Sequence, residues 1–236
     1  MKNLIGIAVL IFGLILYGCA QNKELQTVNG INENVSSKNI DGVNIITKVD
    51  YWTGNPQIKS YVTPVHITIS NKSGKSIKID YEQFALLAPD GQRFSALPPF
   101  DIKGKISKPV LINHYHTIFE PAFTYNRFLI APFYSTIYPE IPVMDGNFYF
   151  DPLYYNNYYN YWSQIKQELP ISKMIDNALP EGVLKNGGEI SGFLYFEKLN
   201  NIKSNEVDFR ADLVNSKTGN RFATIRIPFN LVVING

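Results

Sequence analysis

A period-two alternation of apolar and polar residues sets the main limit on how this chain can fold. It is clearest over residues 62–70. There Val65, Ile67 and Ile69 point one way and His66, Thr68 and Ser70 the other, the pattern of a strand with one buried face. Residues 43–51, 76–81 and 93–97 keep the same period, and residues 84–88 continue as an apolar edge. It returns near the C-terminus over residues 190–199, 207–214 and 221–234. Between these runs stand turn formers: Asn71-Lys72-Ser73-Gly74-Lys75, Pro89-Asp90-Gly91 and Asn215-Ser216-Lys217-Thr218-Gly219-Asn220. Pro98-Pro99 stops the pairing of the strand before it. Short strands at both ends of the chain, joined by turns, predict a mainly β, antiparallel sandwich.

Two hairpins look alike. Leu86 precedes Gly91-Gln92-Arg93-Phe94-Ser95, and Leu213 precedes Gly219-Asn220-Arg221-Phe222-Ala223. Either the chain carries an internal duplication or two hairpins solve one turn problem in the same way.

Residues 101–180 break the β pattern. They are rich in aromatics and proline, and read as a partly helical insertion. Asp151-Pro152 is a helix start, with Asp as N-cap and Pro in the first turn. Tyr154, Tyr158, Tyr161, Ile165 and Leu169 follow at helical spacing. Pro170 ends that helix and opens a short second one through Leu179.

The first nineteen residues carry a different signal. Lys2 is the only charge before Cys19, and residues 4–17 form an apolar run broken only by Gly6 and Gly13. A positive start, a short apolar core and a small residue before the cut describe a secretory leader. The run falls short of the roughly 20 residues a membrane span needs. Its end, Leu16-Tyr17-Gly18-Cys19, resembles the lipobox of bacterial lipoproteins, although Tyr17 stands where a smaller residue is usual. The resemblance implies cleavage after Gly18 and acylation of Cys19, including a palmitate-type chain. It places residues 1–18 in the signal peptide. Ala20 in second position, rather than Asp, implies by the same resemblance an outer-membrane lipoprotein facing the periplasm if the host is Gram-negative.

Cys19 is the only cysteine of the 236 residues, so the chain can form no internal disulfide. A free thiol is out of place in an oxidising compartment, and lipidation would consume it. Residues 19–42 are rich in Asn, Ser, Lys and Glu without apolar period, and read as a lipidated tether. Residues 43–236 then form the β-sandwich domain, with the insertion at 101–180. The formal charge is +2, and loss of Lys2 leaves +1. No basic stripe marks a nucleic-acid surface.

A second resemblance concerns the fold. Val62-Thr63-Pro64-Val65-His66-Ile67-Thr68-Ile69-Ser70-Asn71-Lys72-Ser73, then Tyr81-Glu82-Gln83-Phe84-Ala85-Leu86, then Ala96-Leu97-Pro98-Pro99 is similar to the immunoglobulin-like sandwiches of bacterial envelope lipoproteins. The stretch from Leu179-Pro180-Glu181-Gly182 to Phe229 is similar too. The resemblance implies a fold and no functional residue, because sandwiches of this kind host many functions.

Several short motifs have partial likeness to sites of known chemistry. Gly74-Lys75-Ser76 has the end of a phosphate-binding loop, but Ile69 stands where the loop needs its first glycine, so it reads as a hairpin turn. Ser163-Gln164-Ile165-Lys166 with Lys217-Thr218-Gly219 resembles serine penicillin-binding enzymes only in fragments, and no Ser-x-Asn lies between them. His114-Tyr115-His116, with Glu120 and His66 as further donors, has metal-ligand spacing. Pairs of this kind occur by chance, and no metal or other cofactor is assigned. No Ser/His/Asp set marks a catalytic site, and acids such as Glu181 and Glu189 have no spacing that joins them. Phe128-Leu129-Ile130-Ala131-Pro132-Phe133-Tyr134 is either a core strand or a loop that dips into lipid.

The Tyr-rich run is the most distinctive feature of the insertion. Tyr154, Tyr158, Tyr161 and Ile165 form a stripe suited to packing on the sandwich. Tyr155, Tyr159 and Trp162 project elsewhere and make a candidate partner surface, since such rings bury apolar area while their polar edges stay wet. The functional expectation is a non-enzymatic envelope lipoprotein that binds or supports another envelope component, an envelope protein or polysaccharide. The alternative is a carbohydrate or peptidoglycan binder that stacks sugar rings on the same aromatics.

Overall fold

A computed structural model describes residues 23–28, 34–106, 124–132, 141–146, 168–200 and 202–233. The chain is mainly β. Its strands are β1 Lys23–Thr27, β2 Val35–Ile40, β3 Val43–Lys48, β4 Val62–Asn71, β5 Ile77–Ile79, β6 Phe84–Leu87, β7 Arg93–Leu97, β8 Thr124–Ile130, β9 Gly182–Glu197, β10 Glu206–Asn215 and β11 Arg221–Val233. Every pairing between named strands is antiparallel. Among the described residues a short α-helix, α1, spans Ser172–Asp176. Among the described residues no helix is long and apolar enough to cross a membrane.

The strand order runs β1-β11-β10-β6-β7-β9-β4-β3-β2, with β5 bridging β10 to β9 and β8 added to β9. β2, at the far end of this order, lies beside β11. The sheet therefore curls back on itself and encloses a core. Period-two alternation explains what fills it. β4 sends in Val65, Ile67 and Ile69, β3 sends in Val43 and Ile45, and β11 sends in Ile225, Ile227, Phe229 and Leu231. Phe196 of β9 meets Phe209 of β10 edge to face at 6.1 Å, and Phe84 stacks on Phe209 at 6.3 Å.

A smaller apolar cluster lies on the other face of β9 and includes Trp52, Ile58, Met174, Phe193 and Tyr195. Two hydrogen bonds fasten the chain after α1 to the sheet: Leu179 N to Phe193 O and Phe193 N to Asn177 O, each 2.8 Å. Gly192 makes this approach possible, because a Cβ there would stand 2.8 Å from the Leu179 backbone. Tyr195 Oη then donates to Met174 O at 2.9 Å.

The tether expected over residues 19–42 is corrected. β1 pairs with β11 from Lys23 opposite Val233 to Thr27 opposite Phe229, and β2 pairs with β3. These strands are mostly polar because each needs few buried contacts, and backbone bonds to a longer neighbour supply the rest. In β1 the buried residues are Leu25 and Thr27.

The content of the insertion and the start of the strand after it differ from the expectation. β8 lies within it and pairs with β9. Phe128, Ile130 and Ala131 are buried in the main core, which decides for the core-strand reading of that run. β9 begins at Gly182, eight residues ahead of the expected start at Ile190. Glycines hide that start from the hydrophobic pattern. A Cβ at Gly182 would meet Leu129 O at 2.3 Å, and one at Gly188 would meet Asn126 O at 2.8 Å. Here glycine marks the close crossing of β8 rather than a loop. The helix expected from Asp151 to Leu169 lies, up to residue 167, outside the described residues.

Candidate functional site

Antiparallel register gathers charged residues at one end of the fold. Val62, the first residue of β4, stands opposite Glu197, the last of β9. Lys198 therefore follows directly at that end. Lys23 begins β1 opposite Val233. Asp50 lies just past β3, with φ of +52°, and a 3-10 turn at Pro56–Ser60 brings in Lys59. Asn55 caps this turn by accepting from the Gln57 amide at 2.9 Å.

Lys23, Glu24, Asp50, Lys59 and Lys198 line an open cleft of about 30 Å³, floored by Leu25, Val49 and Val62. The Lys59 ammonium sits between two carboxylates, 2.7 Å from Asp50 and 3.1 Å from Glu24. Lys198 Nζ donates to Lys59 O. Lys23 Nζ donates to Ile202 O and Ser204 O, each at 3.0 Å, and so ties β1 to the loop before β10.

Electrostatics separate the lysines. Burial alone would lower the pKa of Lys59, but hydrogen bonds and charge from Asp50 and Glu24 outweigh it and raise the pKa. Lys198 is lowered, first by burial and also by the Lys59 charge, with Glu24 opposing. The arrangement is one ammonium locked by carboxylates and a second held next to it with donor capacity to spare. Such a site can bind an anionic group through charge-assisted hydrogen bonds.

The residues singled out in the sequence fall elsewhere. Cys19, Tyr155, Tyr159 and Trp162 lie outside the described residues, as do His114, His116 and Glu120. His66 is buried, its ring 5.1 Å from Tyr51 and 5.1 Å edge-on from Phe193. Among the described residues no group of three or more His, Cys, Asp or Glu could hold a metal. Gly74-Lys75-Ser76 occupies the β4–β5 turn. The Gly74 amide donates to Asn186 Oδ1 at 2.9 Å, and the Lys75 ammonium lies 4.4 Å from the Phe222 ring centre. Lys217-Thr218-Gly219 forms the β10–β11 turn, where Asn215 Oδ1 accepts from the Lys217 amide. Glu181 accepts from the Tyr81 amide and Glu189 from the Ser70 hydroxyl, so the two acids serve different partners.

Sequence reasoning missed all five charged residues of the cleft. They are scattered from Lys23 to Lys198, and only strand register brings them together. No local spacing announces them. No family model matches the chain, and neither the curated proteins nor the solved structures yield a match.

Proposed function

We propose that this chain is an exported bacterial lipoprotein, anchored by lipid on Cys19, whose folded part is a non-enzymatic binding or supporting module for another envelope protein. The observation that carries the reading is Leu16-Tyr17-Gly18-Cys19 at the end of an apolar run, with Cys19 the only cysteine. The immunoglobulin-like character of the sandwich and the outer-membrane address suggested by Ala20 belong to the same proposal. Anchoring is tested by fractionation: Cys19→Ser should free the protein from membranes and abolish incorporation of a palmitate analogue. Membrane retention of an unlabelled Cys19→Ser chain would refute it.

A second reading draws on the Tyr/Trp-rich insertion. Tyr155, Tyr159 and Trp162 suit a flat sugar ring as well as a protein surface. Tyr155→Ala with Trp162→Ala separates the two. Loss of a co-purifying envelope protein supports the first reading, and loss of retention on peptidoglycan supports the second.

A further inference from the structure

The correction to the tether changes the geometry of anchoring. Ala20, Gln21 and Asn22 separate Cys19 from Lys23, the first residue of β1. Four Cα steps span at most about 14 Å. A lipid on Cys19 therefore holds the start of β1 within that distance of the acylated sulfur's position at the membrane, instead of at the end of a long flexible leash.

The end of the fold where β1 starts has the composition of a membrane-contacting surface. Val232 and Val233, opposite Glu24 and Lys23, are 41% and 45% exposed. Lys198 lines the cleft with Lys23 and Glu24, the β1 residues that face Val233 and Val232, and exposed Lys203 lies in the loop that Lys23 holds. Acids stand near this end too: Glu24 and Asp50 share the Lys59 ammonium, Glu197 accepts from the Ser95 amide, and exposed Asp90 lies in the β6–β7 turn beyond Leu87, which pairs with Asp208. Glu206 lies further in, opposite Asn230. Exposed valines with Lys198 and Lys203 at the same end match the boundary between acyl chains and phosphates, where lysine stems lie along apolar groups and the ammonium reaches the phosphate.

We propose that this end, with Lys198, Lys203, Val232 and Val233, is seated on the lipid headgroups and binds the phosphates of anionic lipid. The inference rests on anchoring at Cys19 and adds an orientation to it. The far end, with the β10–β11 turn at Lys217, then points away from the membrane. β11 is 13 residues long, which separates the two ends by roughly 40 Å.

The test uses the full chain purified with its lipid and reconstituted in vesicles of phosphatidylcholine, with or without phosphatidylglycerol. A nitroxide is attached through Val233→Cys or, separately, Lys217→Cys, and relaxation by a headgroup-bound paramagnetic reagent is read. The Val233 site should relax several-fold faster than the Lys217 site, and more so with phosphatidylglycerol. Each lysine brought to an anionic surface is worth roughly five-fold in contact, so Lys203→Glu should reduce the Val233 signal several-fold. Lys203 is exposed, so this variant spares the fold. Lys198→Gln, read alongside, should act in the same direction. Equal relaxation at both sites, or a Val233 signal indifferent to phosphatidylglycerol and to Lys203→Glu, overturns the inference and leaves the anchoring intact. A purified chain with no acyl mass on Cys19 overturns both.

Discussion

On its inner face β9 sets Ile190, Leu194 and Phe196 into the main core, while on its outer face it sets Phe193 and Tyr195 beneath α1. The inner face is held by apolar burial between two sheet layers. The outer face combines rings with hydrogen bonds to a segment that has little regular structure of its own: Tyr195 Oη to Met174 O, and Phe193 to Asn177 and Leu179. A strand buried on both faces can thus be packed by volume on one side and by directed bonds on the other. The first tolerates exchange of similar shapes, and the second depends on particular atoms.

Substitutions can break this contrast. Phe196→Ala removes a fully buried ring from the inner face and should cost roughly 3–5 kcal/mol in denaturant unfolding. Gly192→Ala adds only one methyl, yet that methyl meets the Leu179 backbone. It should cost about 1–3 kcal/mol, and hydrogen exchange should rise at the Leu179 amide first. Tyr195→Phe keeps the ring and deletes the bond to Met174 O, a loss of about 1 kcal/mol. If Tyr195→Phe cost as much as Phe196→Ala, the two faces would not differ as described.

The smallest effect lies at the cleft. The Lys59 pKa is raised, so its contribution is full below the ordinary lysine value and fades as pH climbs through the higher folded value. Lys59→Gln should lower stability by at most about 1 kcal/mol at neutral pH. The gap to the unsubstituted protein should close in strong alkali, as Lys59 loses its proton. A gap that persisted there unchanged would show that the Lys59 charge is not what stabilises the cleft.

The same contrast explains what the sequence revealed. The inner face was legible because alternation in β4, β10 and β11 is the direct consequence of one buried side. β1 and β2 were not, since polar strands that lean on a neighbour's backbone carry no hydrophobic period. The start of β9 was masked by glycines that serve β8. The cleft was illegible for a stronger reason. Lys23, Asp50, Lys59 and Lys198 meet only through register and a 3-10 turn, and neither has a signature at any one of those residues.

Anchoring at Cys19 underlies both the proposed function and the proposed orientation. The most direct measurement is the intact mass of the mature protein, with sequencing of its N-terminal peptide. The account predicts that residues 1–18 are absent and that Cys19 begins the chain carrying acyl mass. A chain that retains residues 1–18, with Cys19 as a free thiol, would contradict it.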